Sequence, residues 1–268
     1  LSSIVGPILA GSLIALFSIG EKSSFYSVGL VFFVITSLLF IATFLTLFIK
    51  HHGKPENTTT TSSLEDFKEG FNFVWKEKTI LGLLLMGLLP SAFGKASNFL
   101  LPAFNQDVIS GGPEELGILS AGMGVGALLG SLLLANLSNF KRKGKLMLGT
   151  AYGWALAILT FALTGSLTMA ILFGAVAAFF GSIFGALNMS LIQLQAPQYI
   201  RGRVISLLIV MSGVMPLAVV PIGGVAEYLG VSVALAFAAM MVGLSVWILN
   251  ALFPKLKGIS NISETNAG

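Results

Sequence analysis

The chain has 268 residues, of which 55% are hydrophobic and only 10% are charged, and its mean hydropathy is +0.92. A soluble domain carries roughly 25% charged residues, so this composition excludes a water-soluble globule, a disordered chain and a collagen-like chain. The absence of Cys excludes disulfides and thiolate metal sites. The net charge of +4 leaves nucleic-acid binding open until the positions of the cations are considered.

Eight apolar segments are long enough to cross a bilayer as helices, for which about 20 residues are needed. In chain order they are Leu1–Ile19, Val28–Ile49, Thr79–Leu101, Leu116–Leu137, Leu146–Thr164, Thr168–Ala196, Val204–Val225 and Val231–Phe253. Of the 26 charged residues, 25 lie outside these segments, and the exception is Lys95. The sequence therefore predicts an all-α polytopic membrane protein with eight transmembrane helices, whose first partner is the lipid bilayer.

Lysine and arginine residues lie almost entirely on one side of the predicted membrane. The connections after the second, fourth and sixth segments, together with the tail, hold 13 of the 15, whereas the other connections hold Lys22 alone. Because positive residues mark cytoplasmic loops, we expect a multi-pass protein of the cell membrane with a cytoplasmic C-terminus. The same distribution accounts for the net positive charge by topology, so we expect no nucleic-acid partner.

The chain begins at Leu1, already within an apolar segment and with no basic residue before it. This pattern does not fit a signal peptide. It fits either a processed terminus or an internal start within a longer polytopic chain, and we expect the second.

Residues 50–78 form the one long polar connection. Its first part reads as a flexible linker, and its second part predicts an amphipathic helix over residues 64–76. Ser62 and Glu65 have the spacing of a capping box at its start. Two placements are open: the helix lies on the inner membrane surface with Trp75 at the headgroups, or it packs against the cytoplasmic ends of neighbouring segments.

Polar residues within the apolar segments are candidates for substrate binding. Lys95 is an ionisable group in a membrane segment, which is costly and therefore suggests a function. It shares one helical face with Ser91 and Asn98, and lies about one and a half turns from the predicted outer end at Leu101. Its side chain therefore either contacts a cavity, which we expect, or extends to the membrane interface. Two uncharged candidates follow in the sixth segment, Asn188 and Gln193.

Small residues recur at intervals of three or four in two segments, which predicts close helix–helix packing. The rows consist of Gly122, Gly126 and Gly130 in the fourth segment, and Gly174, Ala178, Gly181 and Gly185 in the sixth. In the seventh segment, Pro216 and Pro221 predict a kink. The sequence has no nucleophile–base pair or metal-ligand pattern, so we expect a protein that is not an enzyme and that uses no cofactor and no metal.

Four stretches resemble the transmembrane secretion effector branch of the major facilitator superfamily, which includes macrolide-efflux-like and siderophore-export proteins. They are the packing motif Gly6, Pro7 and Gly11; Asp66–Trp75; Leu134–Asn139 with the basic residues Lys141–Lys145; and the turn Pro197–Ser206, which contains Arg-Gly-Arg-Val. The resemblance implies that the eight segments are helices five to twelve of a twelve-helix fold. It also implies a further partner, the missing four N-terminal helices of the same chain.

The resemblance divides the chain into residues 1–49 from the N-terminal half, the cytoplasmic linker 50–78, the six-helix C-terminal half 79–253 and the cytoplasmic tail 254–268. It implies a bacterial plasma-membrane exporter of hydrophobic or amphipathic small molecules that works by alternating access. Proton coupling is also implied, although the predicted segments hold no acidic residue. A lipid or lysolipid flippase and a non-transporting membrane scaffold or sensor remain alternatives.

The resemblance further implies a cytoplasmic gate at the basic loops. Its residues are Asn139, Lys141, Arg142, Lys143, Gly144, Lys145, Arg201, Gly202 and Arg203. Asn139 and Gln198 stand where the family often has acids, so charge pairs across such a gate would differ here. The basic residues would otherwise serve topology and headgroup contact alone.

Overall fold

A computed structural model of the chain describes residues 24–48, 63–137, 140, 142–213 and 215–259. All regular secondary structure within these ranges is helical. The α-helices are α1 (Ser24–Thr46), α2 (Ser63–Lys76), α3 (Lys78–Asp107), α4 (Pro113–Asn136), α5 (Lys143–Ala162), α6 (Leu167–Gln195), α7 (Arg201–Ser212), α8 (Val219–Leu229) and α9 (Val231–Leu252). Two 3-10 helices, Met215–Ala218 and Pro254–Gly258, complete the described structure.

Six segments of the described structure are long and apolar enough to cross a membrane: α3, α4, α5, α6, the pair α7–α8, and α9. They correspond to the third to eighth predicted segments, and the apolar α1 corresponds to the second. Leu1–Ile19, the first predicted segment, lies outside the described residues. The prediction of an all-α polytopic membrane protein is therefore confirmed.

The third predicted segment ends later than the sequence suggested. We expected it to end at Leu101, before Pro102, but α3 continues through this proline to Asp107. Proline lacks the N–H that would bond to the carbonyl one turn earlier, and in a membrane helix neighbouring groups offset that loss. Every polar residue of the predicted segment therefore lies further from the C-terminal end of the helix than the sequence suggested.

The seventh predicted segment is broken, as its prolines indicated. Helix α7 ends at Ser212, the 3-10 helix Met215–Ala218 follows, and α8 begins at Val219. Pro216 lies inside the 3-10 turn and Pro221 lies in the first turn of α8, where its missing N–H costs least. The predicted kink is confirmed as a discontinuity in the span.

Helix packing centres on α6 and α9. Helix α6 packs between α4 and α5, and α9 packs against α3 and α5. Buried apolar side chains form two clusters. One runs from Val74 of α2 through Met147 and Phe184 to Leu256, and the other surrounds Phe104 and includes Leu235. The six spans therefore share a common interior in addition to their contact with lipid.

Trp154 of α5 fills the space where three helices meet. A β-carbon on Gly94 of α3 would collide with its indole ring, and one on Gly181 of α6 would lie 3.0 Å from its Cε2 and Nε1 atoms. The indole ring also packs 5.7 Å from the ring of Phe184. Two glycines thus create the room for one large aromatic side chain.

The amphipathic helix α2 packs against the beginning of α7. Val74 is only 3% exposed, and a β-carbon on Gly70 would lie 3.2 Å from Cβ of Arg203. On the remaining surface, Phe71 and Trp75 stack at 5.8 Å and stay exposed. Of the two placements left open by the sequence, packing against a neighbouring segment is the one observed. The exposed aromatic pair leaves a second surface for the headgroup region.

Candidate functional site

A groove of about 200 Å³ opens between α3, α6 and α7, and we call it the central groove. Its walls are a mixture of small, apolar and polar residues, with one charged residue. They are Gly87, Ser91, Lys95, Phe184, Gly185, Asn188, Met189, Leu208, Ile209 and Ser212. Three residues predicted to bind substrate, Ser91, Lys95 and Asn188, therefore come together on the walls of a single groove.

Lys95 lies deep along its helix. Because α3 runs from Lys78 to Asp107, Lys95 is 12 residues before its end, which is more than three turns from either terminus. The sequence counted about one and a half turns from Lys95 to the predicted outer end at Leu101, whereas α3 itself continues past Pro102 to Asp107. The side chain of Lys95 is exposed on the wall of the central groove.

Asn188 joins α6 to α3 at the base of the central groove. Its side chain is 4% exposed, and its Nδ2 donates a hydrogen bond of 2.8 Å to the carbonyl oxygen of Leu83. The same amide lies 3.8 Å from the sulfur of Met147. Gly87 provides the room, since a β-carbon there would lie 2.5 Å from Oδ1 of Asn188. The amide therefore positions two groove-forming helices relative to each other.

The remaining predicted substrate-binding residues lie elsewhere on the surface. Asn98 is exposed on the α3 turn that follows Lys95, and it does not line the central groove. Gln193 is exposed two residues before the end of α6, away from the groove walls. Ser91 and Lys95 share a helical face and line the groove together, whereas Asn98 and Gln193 lie outside its walls.

The groove adjoins the break in the seventh span. Leu208, Ile209 and Ser212 come from the last turns of α7, immediately before the 3-10 helix, which packs on α3. The Ser212 hydroxyl donates to the carbonyl of Ile209 at 2.6 Å, which satisfies one of the acceptors left free at the helix end. A discontinuous helix beside a groove is the arrangement by which many transporters form their substrate sites.

The small residues of α6 face different neighbours. A β-carbon on Gly174 would contact Met123 of α4 at 3.2 Å, whereas Gly181 faces Trp154 of α5. Gly185 has no atom within 4 Å of the corresponding position and instead lines the central groove. The row predicted to form a packing surface therefore also contributes to the groove.

The row on α4 packs closely on α6. A β-carbon on Gly126 would collide with the carbonyl oxygen of Ala175, and one on Gly130 would lie 2.5 Å from that of Phe179. Gly122 faces the side chain of Ile171 at 2.7 Å. The other predicted packing motif, Gly6, Pro7 and Gly11, lies outside the described residues.

Residues of the predicted cytoplasmic gate lie in two places. At the beginning of α5, Arg142 and Lys145 line a hollow with Phe140 and Phe180. The other place is the beginning of α7, which contains Arg201, Gly202 and Arg203. Lys143 belongs to the first turn of α5, while Asn139 and Lys141 lie outside the described residues.

Gly144 has a packing role that the gate prediction did not include. It is buried beneath the 3-10 helix Pro254–Gly258, and a β-carbon there would collide with the carbonyl oxygen of Leu256. Its N–H donates to the carbonyl of Ile259 at 3.2 Å. The beginning of the predicted tail is thus fixed to the beginning of α5.

A charge pair that the sequence did not predict joins α2 to α7. Nη1 of Arg203 lies 2.6 Å from Oε2 of Glu69, and the ring of Phe73 lies 6.5 Å from that of Tyr199 just before α7. Arg201 is placed differently, with its Nε donating to the carbonyl of Ala196 at 3.3 Å. From the sequence, charge partners for these arginines were expected in the loops of the predicted gate. In the structure, one partner of Arg203 is Glu69 of the linker helix α2.

The described residues contain no group of three or more His, Cys, Asp or Glu side chains close enough to hold a metal ion. What the central groove offers is an apolar wall, hydrogen-bonding groups and one ammonium. Concave surfaces with this mixture of apolar and polar groups are typical of small-molecule binding sites.

A family model described as transmembrane secretion effector matches residues 1–266. The multidrug efflux pump Tap of Mycolicibacterium fortuitum is 26% identical over 210 residues, which is 78% of this chain and 49% of that protein. The enterobactin exporter EntS of Shigella boydii is 25% identical over 204 residues, 76% of this chain and 46% of that protein. Macrolide efflux protein A of Enterococcus faecalis is 26% identical over 143 residues, which is 53% of this chain and 42% of that protein. The chain therefore spans about half the length of the curated relatives it matches.

Proposed function

The chain belongs to the transmembrane secretion effector family of the major facilitator superfamily, and on that premise we propose that the complete protein exports hydrophobic or amphipathic small molecules by alternating access. The observation that carries this proposal is the central groove, where an intramembrane lysine, an apolar wall and a broken helix meet. The relatives named as efflux pumps and exporters support the same direction of transport. The site of action is the plasma membrane of a bacterium, with the C-terminus in the cytoplasm.

In our proposal, helices α4, α5 and α6 form a rigid part of the transporter and α7–α8 forms a movable part. Helices α4, α5 and α6 contact one another closely through glycines and aromatic side chains. The buried shares of their most apolar stretches are 22%, 50% and 33%, against 12% for α7–α8. In our proposal, α7–α8 faces the other half of the transporter and tilts when access to the groove changes sides. The break at Met215–Ala218 lets its two pieces tilt by different amounts.

We further propose that transport is coupled to the proton gradient. Among the described spans, carboxyl groups occur only in the terminal turns, at Asp107, Glu114, Glu115 and Glu227. A coupling carboxylate would therefore lie at a membrane edge or in a part of the protein outside the described spans. The proton gradient then supplies the energy for outward movement of the solute.

The test uses the full-length protein in a bacterium that lacks its main efflux pumps. Accumulation of ethidium, a macrolide and a catecholate siderophore is measured with and without an ionophore that dissipates the proton gradient. We expect cells that produce the protein to accumulate less of at least one compound than cells without it. The ionophore should abolish this difference. Normal accumulation of every compound would contradict export and favour the scaffold alternative, whereas export of fluorescent lysolipid alone would favour the flippase.

A groove-blocking variant links the transport to this site. Gly185→Leu adds a side chain in the open space of the central groove, so we expect a loss of efflux of about tenfold, equivalent to about 1.4 kcal/mol. Ala251→Leu is the control, because Ala251 is also helical and exposed, and it lines neither the central groove nor the hollow beside Arg142 and Lys145. Equal efflux by the two variants would show that the groove is not on the transport path.

A further inference from the structure

Lys95 is the one ionisable side chain among the described residues that line the central groove. The other polar groups there are two serines and Asn188, which carry no charge. The walls are otherwise apolar or glycine, with Phe184, Met189 and Leu208 closest in character to a ligand-binding surface. The sign of the groove's charge is therefore set by one ammonium group.

The neutral polar groups of the groove are already partly committed to the protein. The Nδ2 atom of Asn188 donates to the Leu83 carbonyl, and the hydroxyl of Ser212 donates to the Ile209 carbonyl. No ion pair joins Lys95 to another described residue. An ammonium within a membrane span that lacks a counter-charge is energetically costly, so any ligand that brings a negative group to it gains more than a neutral ligand would.

The end of α7 contributes charge of the opposite sign, though less of it. Carbonyl groups at a helix C-terminus are equivalent to roughly −0.5 elementary charge, and the last turn of α7 lies on the groove wall. This partial charge does not cancel the full positive charge of Lys95. None of the acidic side chains of the described spans lines the central groove.

We propose that the central groove selects anionic amphiphiles, in which a carboxylate, phosphate or sulfonate adjoins an apolar body. This inference rests on the proposed export function and adds the charge of the preferred substrate. The acidic group would pair with Lys95, and its apolar neighbour would pack against Leu208 and the exposed Ile209. A solute carrying an amine would be repelled by Lys95 at the same position, because like charges repel strongly where water is scarce.

The size of the groove limits what it holds. At about 200 Å³, it accommodates the acidic end of a solute and one adjoining ring or short chain, and falls below the roughly 300–1,000 Å³ of sites that enclose a whole drug-sized molecule. In this proposal the groove binds the charged end of the solute, while the rest of the solute contacts other surfaces of the complete protein. Selectivity for charge is accordingly expected to exceed selectivity for shape.

The experiment compares three solutes with the same naphthalene body, carrying a carboxylate, a carboxamide or a methylammonium group. Full-length protein is reconstituted in proteoliposomes, a proton gradient is imposed, and the initial transport rate of each solute is measured. For the wild-type protein we expect the carboxylate to be transported about tenfold faster than the methylammonium solute, a ratio equivalent to about 1.4 kcal/mol. Equal rates, a faster amine or no measurable carboxylate transport would overturn the inference.

Substitutions of Lys95 identify the residue responsible. We expect Lys95→Arg to keep the preference for the carboxylate. Lys95→Gln should bring the carboxylate and amine transport rates to within about twofold of each other and leave the carboxamide rate unchanged. Lys95→Glu should make the amine the faster solute. Lys257→Gln removes a positive charge from the exposed 3-10 helix after α9 and serves as the control with unchanged preference. An unchanged preference in Lys95→Gln would also overturn the inference. Failure of this inference can be distinguished from failure of the proposed export function. Export of dyes and antibiotics without charge preference would contradict the inference and leave the proposed function intact.

Discussion

The two faces of α6 show glycine serving opposite purposes, on one face as residues of the neighbouring helix α4 and on the other as a residue of α6 itself. On the face toward α4, backbone atoms of Ala175 and Phe179 lie where β-carbons of Gly126 and Gly130 would be. On the groove face, Gly185 has nothing within 4 Å of its own β-carbon position. Glycine brings backbones together on one face and leaves space for a solute on the other.

In our proposal, this difference assigns stability and transport to separate surfaces of one helix. In a membrane, helices associate through close packing and hydrogen bonds, since lipid is as apolar as their side chains. The α4–α6 contact meets that requirement, and the groove face retains only the Asn188 hydrogen bond as a strong polar contact with α3. Substitutions on the two faces should therefore separate folding from transport.

The largest effect is expected for Gly126→Leu. The added side chain would meet the backbone of Ala175, which cannot rotate away, so α4 and α6 must separate. We expect a loss of about 3 kcal/mol or more in the free energy of unfolding, or no folded protein. Thermal unfolding of the purified full-length protein in detergent measures this, with Gly149→Leu as the control, because Gly149 is also helical and has no atom within 4 Å of the added β-carbon. A transition temperature equal to that of the control would contradict the close contact.

An intermediate effect is expected for Asn188→Ala, which removes the hydrogen bond between α6 and α3. Loss of the bond to the Leu83 carbonyl and of packing around it should cost about 1–2 kcal/mol. Unfolding in a mild denaturant series measures the change, and Asn98→Ala on the exposed side of α3 is the matched control. If both variants unfolded at the same midpoint, the Asn188 amide would contribute nothing to helix association.

A smaller effect is expected for Glu69→Gln at the α2–α7 contact. Glu69 is 54% exposed, and exposed ion pairs contribute about 0–1 kcal/mol. The change in stability should therefore be below about 1 kcal/mol, whereas proteolysis within the linker before α2 should become faster because α2 is held less firmly. Glu77→Gln, an exposed acid just after α2, is the control. Equal cleavage rates in the two variants would count against a holding role for the pair.

The smallest effect on stability is expected for Gly185→Leu, despite its large expected effect on efflux. The new side chain enters open space, and leucine favours a helix more than glycine does by about 1 kcal/mol. We expect the free energy of unfolding to stay within about 1 kcal/mol of the wild type, measured alongside Gly126→Leu. Comparable destabilisation of the two variants would mean that both faces of α6 are packing surfaces.

Local features of the sequence grouped several residues of the central groove but could not define its limits. Ser91 and Lys95 were assigned to one helical face, and both line the groove together with Asn188. The spacing could not exclude Asn98, because three- and four-residue intervals define a face without defining which neighbour covers it. The sequence predicted that the segment ends before Pro102, whereas α3 continues through it, because whether a proline ends a membrane helix depends on its surroundings.

The sequence by itself determined the number and approximate bounds of the described spans, the amphipathic character of α2 and the break at Pro216 and Pro221. These properties depend on the length of apolar runs, on periodicity and on the missing N–H of proline, all of which are local to the chain. Only the tertiary structure decided that α2 packs on α7 through Glu69 and Arg203, and that Gly185 lines a groove while Gly126 touches a backbone. Those outcomes depend on which surfaces of separate helices meet, and a helical repeat alone does not contain that information.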